Sequence, residues 1–344
     1  MKLEVDIKKK LGDFSLCVQF ETNVEPLALL GASGCGKSLT LRSIAGILTP
    51  DEGKIILNGK PLFDSAARIN LPPQKRHVGY LFQQYALFPH MTVRQNIEFG
   101  IRDRSKRNEI LARLLPMFRL EELSSLKPAQ LSGGQQQRTA LARILASSPE
   151  AILLDEPLSA LDSFLRYQLE LELQKVMESF EGPVIWVSHD RGEAYRNCPQ
   201  VCVLEQGRSQ PVMDRDQLIH NPVTEAAARL SGCKNFVEVC PMGNCVQVPQ
   251  WNVTLDCGRA VPLDTKLAGL RAHHFYFAKE GMHCRILRVT EDVFSVILLL
   301  LPLEAQPDAS AFRMEISKEA WESSSQQQEV TVTIDPENIL LLQA

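Results

Sequence analysis

The sequence has no apolar run long enough to cross a membrane and no leader-like start. Its longest apolar stretch, Val293 to Leu303, contains Ser295 and Pro302 and is too short to span a bilayer. Residues 1–5 include an acidic residue and lack the apolar core of a signal peptide. We therefore expect neither a membrane span nor a secretory leader, and we expect the chain to stay on the cytosolic side of the membrane.

The chain also lacks an excess of basic residues and a regular pattern of cysteines. Its 37 basic residues stand against 41 acidic ones, a net charge of −4, so no overall positive field predicts nucleic acid as a partner. The 9 cysteines include two close pairs, Cys198 with Cys202 and Cys240 with Cys245. Neither pair has a second pair at the spacing of a zinc site, so reduced structural thiols are expected.

What the sequence does contain is a phosphate-binding loop. Residues 31–38 fit the pattern of Gly, four free positions, Gly, Lys and Ser, between a strand-like apolar segment and an amphipathic helix. Glycine lets backbone N–H groups face phosphate oxygens at the helix N-terminus. Lys37 would reach the β- and γ-phosphates, and Ser38 would offer its hydroxyl to Mg²⁺. The predicted nucleotide-binding residues are Gly31, Ala32, Ser33, Gly34, Cys35, Gly36, Lys37 and Ser38.

Two later segments carry further groups suited to phosphate chemistry. Ser132 is placed as the N-cap of a helix, and the two glycines after it give close access to the positive end of that helix. Residues 151–157 read as a buried strand that ends in Asp155 and Glu156. Asp155 suits Mg²⁺, held directly or through water, and Glu156 suits a base for the attacking water.

Three other features each have two interpretations. His189 follows a strand-like segment and is either structural or at the sheet edge where ligands gather. Phe14 precedes the loop and either stacks on adenine or packs in the core. Residues 85–91 are apolar but broken by proline, so they form either a buried segment or an exposed docking surface. The docking residues would be Tyr85, Leu87 and Phe88.

In combination these segments resemble the ATP-binding cassette (ABC) ATPases. The phosphate loop, Gln83, Leu-Ser-Gly-Gly-Gln, Leu-Leu-Asp-Glu-Pro, Ser-Ala-Leu-Asp and His189 occur in the order typical of that family. The resemblance implies an α/β P-loop fold of the ABC type in residues 1–232, with a RecA-like core, an antiparallel β subdomain and a helical subdomain. It implies a small all-β domain of the OB type in residues 233–344, where short strand signals alternate with turns.

The resemblance further implies a head-to-tail homodimer in which two subunits complete each ATP site. The signature of one subunit would close over ATP and Mg²⁺ held by the phosphate loop of the other. The implied residues are Ser38, Gln83 and Asp155 at Mg²⁺; Gln83, Glu156 and His189 in catalysis; Ser132, Gly133, Gly134 and Gln135 in the signature; and Asp162 in coupling the two sites.

A single cassette without a membrane span resembles the ATPase subunit of an importer. Such a subunit lies on the cytoplasmic face of the membrane, binds two permease subunits and depends on an extracytoplasmic substrate-binding protein. The resemblance favours molybdate as cargo, with sulfate, iron(III), polyamine and sugar importers as alternatives. The other functional class is a non-transport ABC ATPase that acts on nucleic acid or ribosomes, which the single cassette and the charge of −4 argue against.

Overall fold

The computed structural model describes residues 1–159, 163–324 and 328–343. The chain divides into two compact units, Met1–Arg215 and Asp216–Ala344. The domain boundary expected from the sequence, between residues 232 and 233, differs from this division and stays a prediction. Within the described ranges, every helix is too short or too polar to cross a bilayer.

Strands and helices alternate through most of the first unit. Its strands are β1 (Leu3–Leu11), β2 (Phe14–Thr22), β3 (Leu27–Leu30), β4 (Glu52–Leu57), β5 (Lys60–Asp64), β6 (Ile69–Asn70), β7 (Val78–Leu81), β8 (Ala151–Asp155), β9 (Val184–Ser188), β10 (Gln200–Glu205), β11 (Arg208–Ser209) and β12 (Met213–Asp214). Its helices are α1 (Lys37–Ala45), α2 (Pro73–Arg76), α3 (Val93–Gly100), α4 (Arg107–Met117), α5 (Gly133–Ala146), α6 (Ser163–Glu178) and α7 (Arg191–Asn197).

These strands form a sheet with a parallel and an antiparallel part. The order is β6-β5-β4-β1-β2-β11-β10-β3-β9-β8-β7, with β12 beside β10. Strands β10, β3, β9, β8 and β7 run parallel, whereas β1, β2, β4, β5 and β6 pair antiparallel. Every residue of β3, β8 and β9 is buried, as expected for parallel strands covered on both faces. The carboxyl ends of the parallel strands share one edge, where ligands bind in such sheets.

The segment between β7 and β8 is helical and is held by capped helix starts. Thr92 caps α3 in a capping box with Gln95, and Ser132 caps α5 in a capping box with Gln135. Each box satisfies two backbone N–H groups that a free helix start would leave unpaired. Helix α3 packs on α5. The helical pattern expected for residues 93–126 is therefore realised as α3 and α4 with a short 3-10 turn, Arg104–Lys106, before α4.

The second unit is rich in antiparallel strands, in agreement with the predicted all-β domain. Its helices are α8 (Arg215–His220, which starts at the division between the units), α9 (Glu225–Leu230) and α10 (Lys318–Ser323). Its strands are β13 (Asn235–Glu238), β14 (Cys240–Met242), β15 (Cys245–Val248), β16 (Val253–Asp256), β17 (Leu267–Leu270), β18 (Phe275–Glu291), β19 (Ser295–Pro302), β20 (Phe312–Ser317), β21 (Glu329–Ile334) and β22 (Ile339–Leu342).

Three antiparallel sheets enclose the core of the second unit. They have the orders β13-β17-β22, β14-β15-β16 and β20-β19-β18-β21. Trp251, Phe275 and Phe312 lie buried at their centre, with the ring of Phe312 5.0 Å from Trp251 and 4.7 Å from Phe275. Their burial supplies much of the hydrophobic stabilisation of this unit.

Candidate active site

The phosphate loop joins β3 to α1 and has the backbone that its glycines allow. Gly34 and Gly36 have φ values of 80° and 108°, a region that residues with a Cβ rarely adopt. A Cβ on Gly31 would lie 2.4 Å from the carbonyl oxygen of Leu204, so that position has no room for a side chain. Ala32, Ser33 and Gly34 are exposed at the top of the loop. The loop therefore presents backbone N–H groups to solvent beside the N-terminus of α1, as anion binding requires.

Lys37 is folded back into this loop. Its side chain is buried, and Nζ donates hydrogen bonds to the carbonyl oxygens of Gly31 at 2.7 Å and Ala32 at 3.0 Å. Nζ also lies 3.9 Å from Sγ of Cys35, which is buried in the same loop. The loop thus surrounds an ammonium group with backbone dipoles, and a phosphate placed there would meet both N–H donors and a positive charge.

Ser38 and Asp155 are hydrogen-bonded to each other at the carboxyl edge of the parallel strands. The Ser38 hydroxyl donates to Oδ1 of Asp155 at 2.8 Å, and the Tyr80 hydroxyl donates to Oδ2 at 2.6 Å. Burial and the neighbouring carboxylate raise the pKa of Tyr80, so the phenol keeps its proton and remains a donor. Mg²⁺ prefers oxygen ligands and uses one or two carboxylates beside substrate phosphates, and the Ser38 and Asp155 oxygens fit that preference.

The role of Tyr80 could not be predicted from the sequence. Its contact with Asp155 depends on the parallel register of β7 and β8, in which Tyr80 lies opposite Leu153. Single-chain patterns indicate that these segments are strands but do not indicate which strands are neighbours. The available signal was a hydroxyl-bearing aromatic residue in a strand that otherwise reads as buried.

Glu156 brings Gln83 and His189 together at the end of β8. Its Oε2 lies 3.4 Å from Nε2 of Gln83 and 3.6 Å from Nδ1 of His189. Glu156 has a φ of 48°, an unusual conformation for a residue with a side chain, and its backbone N–H donates to the carbonyl oxygen of Val187. The structure thus places three of the predicted catalytic residues next to one another, on the loops after β7, β8 and β9. Asp162 lies outside the described residues.

A buried hydrogen-bond network supports the loop that carries His189. The Ser188 hydroxyl donates to Oε2 of Glu193 at 2.8 Å and accepts from the backbone N–H of Asp190 at 2.9 Å. Asp190 in turn caps α7 by accepting the N–H groups of Gly192 and Glu193. Burial raises the pKa of the Glu193 carboxyl. These supporting residues could not be predicted from the sequence, because Glu193 reads as one acidic residue among many until its burial is known.

The predicted signature residues form an exposed, capped helix start. The N–H of Ser132 donates to the side-chain oxygen of Gln135 at 2.9 Å, and the Ser132 hydroxyl accepts from the N–H of Gln135 at 3.4 Å. Ser132 and Gly133 are exposed, whereas Gly134 is buried. Within the chain the side chains of Ser132 and Gln135 thus each accept a hydrogen bond from the backbone N–H of the other residue, while the Ser38 side chain bonds Asp155. The trans role of the signature stays a prediction.

Phe14 lies beside the phosphate loop and is half-buried. A Cβ on Gly36 would sit 3.3 Å from its ring, and a Cβ on Gly207 would sit 3.1 Å from it. Phe14 also packs on the core cluster of the first unit. Phe14 therefore contributes to core packing, and its stacking on adenine stays a prediction.

The loop after Gln83 is only partly exposed, so the expectation of an exposed apolar loop is wrong for Tyr85. Tyr85 is 8% exposed, and its hydroxyl donates to Oε1 of the buried Gln137 on α5 at 3.4 Å. The carbonyl oxygens of Tyr85 and Ala86 accept hydrogen bonds from Arg143 on the same helix. Leu87 is half-buried. Phe88 is also half-buried, and its ring contacts that of Phe99 edge to face, with 4.5 Å between the ring centroids; Phe99 is 63% exposed. A smaller apolar surface around Leu87, Phe88 and Phe99 is therefore available for docking.

The histidines and cysteines of the chain form no metal centre among the residues that the structure describes. His273 and His274 lie in a 3-10 turn after β17, and their ring centroids are 4.4 Å apart. The nine cysteines are free thiols. Burial raises the pKa of the Cys202 and Cys284 thiols to about 12, so these thiols stay protonated at neutral pH.

Comparisons with known proteins identify similar chains. A protein-family model described as ABC transporter matches residues 15–159. Similar proteins include the spermidine/putrescine import ATP-binding protein PotA of Oleidesulfovibrio alaskensis, 40% identical over 220 residues, or 63% of this chain and 57% of that protein. The sulfate/thiosulfate import ATP-binding protein CysA of Synechocystis sp. is 39% identical over 64% of this chain and 62% of its own length. The molybdenum import ATP-binding protein ModC of Rhizobium johnstonii is 36% identical, over 67% and 66%.

The chain thus spans less than two thirds of the length of these relatives. Among solved structures, a dimeric post-hydrolysis state of the ATP-binding cassette MJ0796 bound to ADP and Pi matches with a TM-score of 0.52. It is 30% identical in sequence, and the match covers 62% of this chain and 99% of that one. The chain therefore belongs to the ABC transporter family, and its first unit carries the ATP-binding cassette of that family.

Proposed function

We propose that the chain is the ATP-hydrolysing subunit of an ABC importer. The observation that carries the proposal is the meeting of Glu156 with Gln83 and His189, beside the bonded pair of Ser38 and Asp155. Transfer of a phosphoryl group to water needs a base for the water and polar groups that orient the water and the γ-phosphate. Here a carboxylate, a carboxamide and an imidazole lie next to a phosphate loop.

In this proposal each residue acts on a different part of the reaction. Backbone N–H groups of the phosphate loop and Lys37 would bind the β- and γ-phosphates, replacing the hydrogen bonds that Lys37 makes to the loop. Mg²⁺, held by Ser38 and Asp155, would neutralise phosphate charge. Glu156 would accept the proton of the attacking water, and His189 and Gln83 would orient the water and the γ-phosphate.

One copy of the chain supplies donors on one side of the nucleotide only. We propose that a second copy supplies Ser132, Gly133 and Gln135 from the exposed start of its α5, in a head-to-tail homodimer. The dimeric state of the similar MJ0796 structures supports this arrangement. The closed dimer would then be stabilised by contacts that the γ-phosphate makes only in that form.

The proposed partners are two permease subunits within the membrane, which this chain would bind at the cytoplasmic face. The names of PotA, CysA and ModC are those of import ATP-binding proteins, which supports this assignment. The docking surface would be the apolar one around Leu87, Phe88 and Phe99, where Arg143 lies over the Phe88 ring at 5.3 Å. An extracytoplasmic binding protein would deliver the cargo to the permease.

The proposed cargo is molybdate, and the same relatives support polyamines and sulfate equally well. The experiment that separates them reconstitutes the chain with its permease and adds each candidate cargo with the corresponding binding protein. We expect one cargo class to stimulate ATP hydrolysis several-fold. Stimulation by spermidine or sulfate and not by molybdate would exclude molybdate as the cargo. Absence of ATP hydrolysis under all conditions would contradict the proposal that the chain is an ATPase.

Replacing Phe88 by aspartate is expected to uncouple the permease while hydrolysis by the free chain persists. The change puts a charge into an apolar contact surface, which costs binding free energy at that surface only. Cargo-stimulated hydrolysis should fall to the level of the free chain. The matched control is Val24→Asp, because Val24 is 45% exposed in the turn between β2 and β3. Transport that survives Phe88→Asp would contradict the docking proposal.

A further inference from the structure

Both oxygens of the Asp155 carboxylate accept hydrogen bonds, and the two donors come from different parts of the fold. Ser38, at the start of α1, donates to Oδ1 at 2.8 Å, and Tyr80 of β7 donates to Oδ2 at 2.6 Å. Asp155 is only 6% exposed, so the carboxylate is largely removed from bulk water. Because the carboxylate is bonded at both oxygens, its orientation is fixed.

The two hydrogen bonds differ in what nucleotide binding would do to them. Under the proposed function the Ser38 hydroxyl is a Mg²⁺ ligand, so its bond to Oδ1 is open to exchange when nucleotide and ion bind. Tyr80 lies outside the phosphate loop, and a protonated phenol is not among the oxygen ligands that Mg²⁺ prefers. Oδ2 therefore keeps its donor, while Oδ1 is the oxygen that can face the ion.

The Tyr80 hydroxyl is placed by a packed aromatic ring. Tyr80 lies opposite Leu153 in the parallel register of β7 and β8, and Asp155 is two residues further along β8. Side chains two residues apart on a strand share a face, so Tyr80, Leu153 and Asp155 point to the same side of the sheet. The Tyr80 ring packs on the core cluster of the first unit, and its centroid is 4.3 Å from that of the Phe82 ring. The hydroxyl is thus held at Oδ2 by packing.

We propose that Tyr80 is a positioning residue that makes the site prefer Mg²⁺ to Ca²⁺. The inference rests on the proposed function, because it concerns the ion that accompanies ATP. Mg²⁺ demands near-octahedral geometry and keeps several of its waters, whereas Ca²⁺ accepts carboxylates through one or both oxygens. With Oδ2 bonded to Tyr80, Asp155 offers one oxygen only, either to the ion or to one of its waters. This arrangement suits Mg²⁺ and blocks the two-oxygen binding that is open to Ca²⁺.

A purely structural role for Tyr80 would have different consequences. If the hydroxyl only satisfied a buried carboxylate oxygen, its loss would cost stability and would weaken nucleotide binding with or without a metal ion. If the hydroxyl positions Asp155 toward the ion, its loss changes only the part of the nucleotide affinity that the ion supplies. Nucleotide affinity measured with and without metal therefore separates the two roles.

Tyr80→Phe tests the proposal, because it keeps the packed ring and removes only the hydroxyl. The measurement is the affinity of the full-length chain for a non-hydrolysable fluorescent ATP analogue in EDTA, in saturating Mg²⁺ and in saturating Ca²⁺. We expect the gain in affinity from Mg²⁺ to fall about tenfold or more, the loss typical of a residue that supports a metal ligand. The gain from Ca²⁺ should fall much less, and the affinity in EDTA should stay at the wild-type value.

The matched control is Tyr276→Phe, because Tyr276 also donates to an aspartate, at 2.7 Å from Oδ1 of Asp335, but lies in the second unit. It should leave all three affinities unchanged.

Three results for Tyr80→Phe would overturn the proposal: an equal loss of affinity in all three conditions, equal losses of the Mg²⁺ and Ca²⁺ gains, or an unchanged Mg²⁺ gain. A wild-type chain that gains as much affinity from Ca²⁺ as from Mg²⁺ would also overturn it. If the wild-type chain binds the analogue no better with Mg²⁺ than in EDTA, the Mg²⁺ site of the proposed function is itself wrong. A wild-type gain that Tyr80→Phe leaves unchanged contradicts only the role of Tyr80.

Discussion

Replacing Glu156 by glutamine is expected to lower the rate of ATP hydrolysis by about 10²- to 10⁴-fold, the range that general bases contribute. Glutamine keeps the size of the side chain and its hydrogen bonding to Gln83, but it cannot accept a proton from water at neutral pH. ATP binding should persist, because the phosphate loop, Lys37 and Asp155 are unchanged. The variant should therefore accumulate as an ATP-bound dimer.

Two measurements check this expectation together. Steady-state phosphate release reports hydrolysis, and size-exclusion chromatography with Mg²⁺ and ATP reports the trapped dimer. The matched control is Glu150→Gln, because Glu150 directly precedes β8, at the opposite end of the strand, where its carboxylate accepts a hydrogen bond from Asn58. If Glu156→Gln hydrolyses ATP at the wild-type rate, Glu156 is not the general base. If the variant no longer binds ATP, Glu156 instead maintains the structure of the site.

The parts of this site that were predictable are those that one stretch of sequence specifies. The phosphate loop depends on glycines and a lysine within eight consecutive positions, and the structure has it between β3 and α1. Asp155 and Glu156 end a segment whose continuous apolar character indicates a buried parallel strand. The convergence of the loops after β7, β8 and β9 follows from the rule that ligands bind at the carboxyl edge of such sheets.

The parts that escaped prediction depend on contacts between distant segments. Tyr80 reaches Asp155 because β7 is the neighbour of β8. The periodicity of a single segment predicts a strand but does not indicate which strand lies beside it. Tyr85 was expected to be exposed because proline interrupts its apolar segment, yet its side chain is buried and its hydroxyl donates to Gln137 of α5. The support of Ser188 by Glu193 requires a buried carboxylate, and composition gives no sign of which acidic residue is buried.

The second large effect is expected from variants that disable opposite halves of the nucleotide site. Lys37→Ala should abolish tight ATP binding, because the phosphates lose their charged partner. Ser132→Ala should leave ATP binding by the loop intact but lower turnover about a hundredfold, as expected for loss of a donor to transition-state charge. Loss of the helix cap itself costs only about 1 kcal/mol of stability. Ser317→Ala controls for that loss, because Ser317 caps α10 in the second unit.

Mixing the two variants tests whether the halves come from different copies. In a head-to-tail heterodimer, the intact loop of the Ser132→Ala copy faces the intact signature of the Lys37→Ala copy. One of its two sites is therefore complete, so an equimolar mixture should recover up to about a quarter of wild-type hydrolysis. If Ser132 instead completed the site of its own copy, every site in the mixture would carry one defect. Recovery well above the sum of the separate variants thus requires the trans arrangement, and a mixture no more active than that sum contradicts it.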